Sequence, residues 1–133
     1  METALILATA LSALSPQTRL FVERAAMQAA DSRCALLSPR DRTRLDAGVI
    51  QARGALLRAG VPEAEVNRQA AQARSAAARR TCGDAVLQAE AARLRDSFSA
   101  LDRVSRMDFA GWSARRSGPD AWRVVHDAGT GVR

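Results

Sequence analysis

The chain has no lysine and no tyrosine, a single histidine, two cysteines, and three Phe and two Trp as its only aromatics. Each shortage narrows what the protein can be. With no lysine, all 20 basic residues are arginine. A GC-rich, bacterial genome is the simplest source of that skew, and avoidance of lysine modification is the alternative. With so few aromatics, the 47% hydrophobic content rests largely on alanine, which favours helix but supplies little buried area. The core is therefore expected to be helices packed close on small side chains, with Leu, Val and a few Phe as the large pieces.

The shortages also bear on chemistry. Cys34, Cys82 and His126 make three metal ligands at best, and their spacing matches no zinc pattern. A lone His126 beside Asp127 in a strand-like stretch reads as structural. There is no nucleophile-elbow sequence, and the GTG near the end lacks a following helix to make a phosphate loop. Glu90 has no second acid at a catalytic spacing. No catalytic residue, metal or cofactor is assigned. The apolar run Ala4–Leu14 is eleven residues, too short for a transmembrane span.

What is present divides into three parts. Residues 1–14 read either as a signal peptide, with Ala8-Thr9-Ala10 resembling a cleavage site, or as a first helix burying Leu7, Leu11 and Leu14. Against the leader, Glu2 cancels the positive charge of the terminal amine. Residues 15–107 read as a helical bundle, and 108–133 as a C-terminal hairpin or tail. The expected fold class is all-α, a small antiparallel bundle of three to five helices with a short C-terminal β-hairpin.

The bundle has clear boundaries. Ser15-Pro16 and Ser38-Pro39 each place an N-cap residue before a proline at the first helical position, and Pro62 opens a third helix with Glu63 and Glu65 in its first turn. Gly60 is the expected left-handed end of the helix before it. The expected buried seams are Leu20, Met27, Ala30, Cys34 and Leu37; then Leu45, Val49, Ala52, Leu56 and Ala59; then an alanine stripe of Val66, Ala70, Ala73 and Ala77. After Gly83, a stripe of Leu87, Ala91, Leu94, Phe98 and Leu101 predicts a helix running to about Met107. The alanine-only stripe requires very close packing or a loosely held helix.

Beyond Asp108 the sequence is rich in Gly and holds both Trp. WSARR and AWRVVH are strand candidates around a turn-like SGPD, with Trp122, Val124 and His126 on one face and Arg123 and Val125 on the other. AGTG is a further turn signal. An isolated two-stranded hairpin is marginal in water, so it must pack on helices, accept a partner strand, or belong to a longer module.

For the cysteines three readings compete: a disulfide, two buried thiols, or a reactive Cys82 beside Arg79 and Arg80. The ends of helices in a bundle can meet, and a bond from Cys34 to Cys82 would stabilise an alanine-rich core by about 4 kcal/mol. The disulfide is favoured, and with it an oxidising compartment, periplasmic or secreted, with the cytoplasm as the alternative. Net charge is +6, with 12 Arg and 7 acids in residues 67–133 against 8 and 7 before them. That asymmetry permits an acidic partner, whether nucleic acid, an anionic membrane surface or a protein. Trp112, Arg115, Arg116, Trp122 and Arg123 are the expected contact residues, because Trp and Arg are frequent binding anchors. The expected function is an exported, non-enzymatic interaction or structural module whose partner is a protein. The alternatives are a cytosolic nucleic-acid binder using Asn67, Arg68, Gln69, Gln72 and Arg74 after Pro62, and a thiol-dependent enzyme on Cys82.

Overall fold

The computed structural model describes residues 14–126. The leader or first-helix reading of residues 1–14, but for Leu14, and the AGTG turn therefore lie outside the described residues. The described chain is mostly helical: α1 (Pro16–Cys34), α2 (Pro39–Arg58), α3 (Glu63–Ala78) and α4 (Ala85–Asp102) precede strands β1 (Arg106–Phe109), β2 (Trp112–Gly118) and β3 (Ala121–His126). It forms two compact units, divided within α4 between Leu94 and Arg95.

In the first unit the helix ends follow local chemistry. The Ser15 hydroxyl accepts the Thr18 N–H and the Ser38 hydroxyl accepts that of Asp41, each followed by proline at the first position. These contacts satisfy donors that have no partner inside the helix. At the end of α2 the Gly60 N–H donates to Leu57 O and the Val61 N–H to Leu56 O, with Gly60 at φ +90°. That is a Schellman ending, which needs the left-handed residue glycine supplies. Asp84 accepts the Leu87 N–H and so caps α4. That bond is the main reason its carboxyl sits below the usual range.

The turn from α1 to α2 is built on a buried acid. Asp31 is only 2% exposed. It accepts the Leu37 N–H at 2.8 Å and the Arg42 guanidinium, while Arg42 also donates to Leu37 O. Burial pushes the Asp31 carboxyl up, but the Arg42 hydrogen bond, the backbone N–H donors and the Arg42 charge together hold it below the ordinary value.

The core of this unit is small-residue packing. α2 buries Leu45, Val49, Ala52 and Leu56, as the spacing predicts, although Ala59 is exposed. α3 buries Val66, Ala70, Ala73 and Ala77. α1 packs on α3 more extensively than on α2, and α2 meets α3 only slightly. The alanine stripe is thus the main seam of the bundle: without long side chains, helix backbones can approach and fill the space between them. On α1, Met27 and Ala30 of the expected seam are buried, as is Leu37 beyond the helix, but the buried face is wider than one stripe. Phe21 and Ala25 are fully buried beside Met27 and Ala30, whereas Leu20 is exposed.

The second unit departs from the expected hairpin. α4 ends at Asp102, and Arg106–Phe109 forms a strand where a helix to Met107 was expected. The sheet is a three-stranded antiparallel meander in the order β1-β2-β3. Arg106-Met107-Asp108-Phe109 alternates, and Ala110-Gly111, with Gly111 at φ +80°, closes a two-residue connection to β2. Cross-strand pairing claims those residues more strongly than the helical stripe that precedes them. Leu94, Phe98 and Leu101 are accordingly half-buried, and on α4 only Leu87 and Ala91 are buried.

Candidate interaction surface

Cys34 and Cys82 form a disulfide with a Cα separation of 5.5 Å. It ties the end of α1 to the connection between α3 and α4. Arg33, the adjacent residue, reinforces the same junction. Its guanidinium donates to Ala77 O at 3.1 Å, to Arg80 O, and at 3.7 Å to the Cys82 sulfur. It thereby caps carbonyls at the C-terminal end of α3, where a positive charge also complements the helix dipole. Gln88 donates to Cys82 O and Arg80 pairs with Asp84. With both sulfurs bonded to each other, Cys82 offers no thiolate in this state.

Four of the five α3 side chains expected to read base edges are engaged with other side chains, and Gln72 is exposed. Asn67 accepts from Arg53, and Arg68 and Gln69 both donate to Glu65. Arg74 donates to Gln28. The Arg68 hydrogen bond is the main cause of the depressed Glu65 carboxyl. A shallow open hollow on the same helix is lined by Ala71, Gln72, Ser75, Ala76 and Arg79: three small side chains, one amide and one cation.

The five expected contact residues all lie in the C-terminal sheet, but they do not form one surface. Alternation sends successive residues of a strand to opposite faces. The register pairs Phe109 with Trp112 and Trp112 with His126; Met107 with Ala114 and Ala114 with Val124; and Arg116 with Trp122. These residues make one face, apolar and aromatic. On the other face Arg106 pairs with Arg115 and Arg115 with Arg123, while Asp108 pairs with Ser113 and Ser113 with Val125. Trp112, Arg116 and Trp122 are therefore separated by the sheet from Arg115 and Arg123.

Arg116 is a structural clamp. Its guanidinium donates to Val104 O at 2.9 Å, Pro119 O at 2.8 Å and Leu101 O at 2.6 Å, and its carbon lies 4.5 Å from the Trp122 ring centre. One side chain thus joins the end of α4, the β2–β3 turn and β3. Phe109 and Trp112 stack with ring centres 4.0 Å apart, so these aromatics are occupied by each other. Both Trp are half-buried.

The other face carries three arginines side by side across three strands. Directly opposite residues in an antiparallel pair sit about 4.5–5.5 Å apart at Cα, and like charges so placed repel. Arg106 is relieved by Asp108, two residues along its own strand, at 2.7 Å. Arg115 and Arg123 are both exposed, and neither side chain has a hydrogen-bond or ion-pair partner among the described residues. The sequence pointed to Arg115 and Arg123 but missed Arg106, the third member of the row. The alternation of RMDF before Ala-Gly was the available signal.

Among the described residues no three His, Cys, Asp or Glu side chains cluster so as to hold a metal ion, and no helix is long and apolar enough to cross a membrane. No protein-family model, curated protein or solved structure matches the chain.

Proposed function

We propose that the chain is an exported, non-enzymatic module: a helical bundle stapled by Cys34–Cys82 that presents a C-terminal sheet to a protein partner. The observation that carries the reading is the disulfide, because such bonds form and persist in oxidising compartments and are rare in a reducing cytosol. The apolar leader-like run at the N-terminus of the sequence supports the same compartment. The interaction half of the proposal is supported by Arg115 and Arg123, adjacent like charges with no described partner. A protein fits better than a nucleic acid. Proteins that hold single strands combine a basic track with aromatics on which bases stack; here Arg115 and Arg123 lie on the face opposite the aromatics, and Arg116, on the aromatic face, is spent on three carbonyls.

The test is intact mass of the protein recovered from its source cells, with thiols trapped by alkylation before lysis. The expected result is an unalkylated chain that gains two labels only after reduction, recovered outside the cytosol. Two freely alkylated thiols in natively sourced protein would refute export.

A further inference from the structure

We propose that the outer edge of β3 accepts an acidic, extended segment of a partner protein as a fourth strand, with its carboxylates on the face of Arg115 and Arg123. The proposal rests on the reading of the chain as an interaction module and specifies its partner. Three observations converge on it. First, β3 is an edge of the meander, and no described strand pairs with its outer side. Every second residue of such a strand turns its N–H and C=O outward, a ready template for another chain. Second, the usual protections of an edge are weak here. The six-residue β3 has no proline, and Val124 and Val125 are 52% and 43% exposed. Third, the sheet already shows how the arginine row is neutralised. Asp108 on β1 relieves Arg106 from the same face. A carboxylate on a strand beside β3 would lie on the same face directly across from Arg123, with Arg115 one strand further in and reachable only by its long side chain, forming charge-assisted bonds for which the guanidinium fork is suited.

A second copy of this chain does not fit that edge as well. Two-fold antiparallel pairing of β3 with itself keeps like faces together, so it sets Arg123 opposite or diagonal to another Arg123. An acidic segment reverses the sign of that contact.

The test uses the full oxidised protein and a labelled ten-residue peptide alternating Thr and Glu, which places every carboxylate on one face of a strand. Fluorescence polarisation is expected to show saturable binding that weakens as salt rises. The double substitution R115Q/R123Q should weaken binding by about tenfold, the scale of two exposed ion pairs. It should leave far-UV circular dichroism unchanged, because it relieves repulsion instead of removing packing. A Thr–Gln peptide should fail to bind. So should a Thr–Glu peptide N-methylated at alternate residues, which keeps its charge but cannot donate along the edge. Equal binding by either control peptide overturns the proposal, as does absence of binding by the Thr–Glu peptide. It is likewise overturned if single-stranded oligonucleotide or phosphatidylglycerol vesicles bind more tightly than the peptide through the same arginines, or if a dimer in solution buries β3. Failure here with the disulfide intact in source cells refutes strand addition alone, whereas free thiols there refute export alone.

Discussion

Replacing both cysteines, C34S/C82S, tests how far the bundle depends on its staple. The bond closes a loop with a sequence separation of 48. In the chain-entropy treatment a loop of that length removes unfolded-state freedom worth about 4 kcal/mol. A small domain is stable by roughly 5–15 kcal/mol in all, and this one is sealed largely by alanines, among them Ala25, Ala30, Ala70, Ala73 and Ala77. The loss should therefore be conspicuous. At about 4–8 °C per kcal/mol for a unit of this size, the helical melting temperature is expected to fall on the order of 15–30 °C. Far-UV circular dichroism is the right probe, because the bundle's helices dominate its signal, whereas both Trp belong to the sheet.

Arg33 sharpens the same experiment. Its contacts to Ala77 O and Arg80 O join the same two places in the fold as the disulfide beside it. In the oxidised unfolded chain the tether keeps Arg33 near those carbonyls, so part of its interaction survives unfolding. R33A should consequently cost less in the oxidised protein than in C34S/C82S, a non-additivity that a double-mutant cycle measures. A fall in melting temperature below about 5 °C for C34S/C82S, together with equal R33A effects in both backgrounds, would refute the reasoning. The junction would then be held by packing that owes nothing to loop closure.

Other perturbations test separate parts of the fold. Asp31→Ala strands the buried Leu37 N–H, at a cost of about 1–3 kcal/mol, readable as a shifted urea midpoint. The wild-type Asp31 carboxyl is depressed in the folded state, so the unfolded chain takes up its proton first. Its contribution is full above the unfolded value near pH 4 and is lost as pH falls through the folded value, and Asp31→Asn should flatten that part of the pH profile. Ala73→Leu overpacks the seam between α1 and α3 and should cost about 1–3 kcal/mol in chemical denaturation; no loss would mean the seam is slack. Gly60→Ala imposes a side chain at φ +90° and should destabilise by about 1 kcal/mol even though nothing crowds the new Cβ. Arg116→Lys keeps the charge but cannot reach three carbonyls at once, so Trp emission should shift towards that of the unfolded chain at a lower temperature than in wild type.

The features legible in the sequence were those decided within a few residues. Ser15-Pro16, Ser38-Pro39 and Gly60 each act on their own turn of backbone, and all three do what their chemistry predicts. The α2 and α3 stripes were legible because one repeat fixes one face. The α1 seam was legible only in part: Met27, Ala30 and Leu37 are buried as expected, but Phe21 and Ala25 are buried as well and Leu20 is not, because α1 packs on two helices and buries more than one stripe. β1 was missed for a related reason. Arg106–Phe109 is four residues long and follows a helical stripe that points onward, and only its pairing with Trp112–Arg115 makes it a strand. The expected contact residues do share one sheet but not one face: composition nominates Trp and Arg, but the pleat decides which of them stand together.

The absence of lysine has a structural consequence that separates two kinds of arginine. Arg33, Arg42 and Arg116 each use several donors of one planar group: Arg33 on the carbonyls ending α3, Arg42 on both Asp31 and Leu37 O, Arg116 on three carbonyls around the sheet. An ammonium is a compact charge on a flexible stem and cannot bridge such separated acceptors with the same fixed geometry. In those places arginine is consumed by the fold. Arg115 and Arg123 have the same five-donor fork, lie beside each other with Arg106 on the far side of Arg115, and use none of it on the described chain. Their repulsion costs stability in the sheet unit, which has few buried side chains. A small sheet that keeps this strain on one face, next to an open edge, gains most from a ligand that brings both negative charge and a backbone. An acidic strand brings both, which is why β3 and the arginine row are read as one surface.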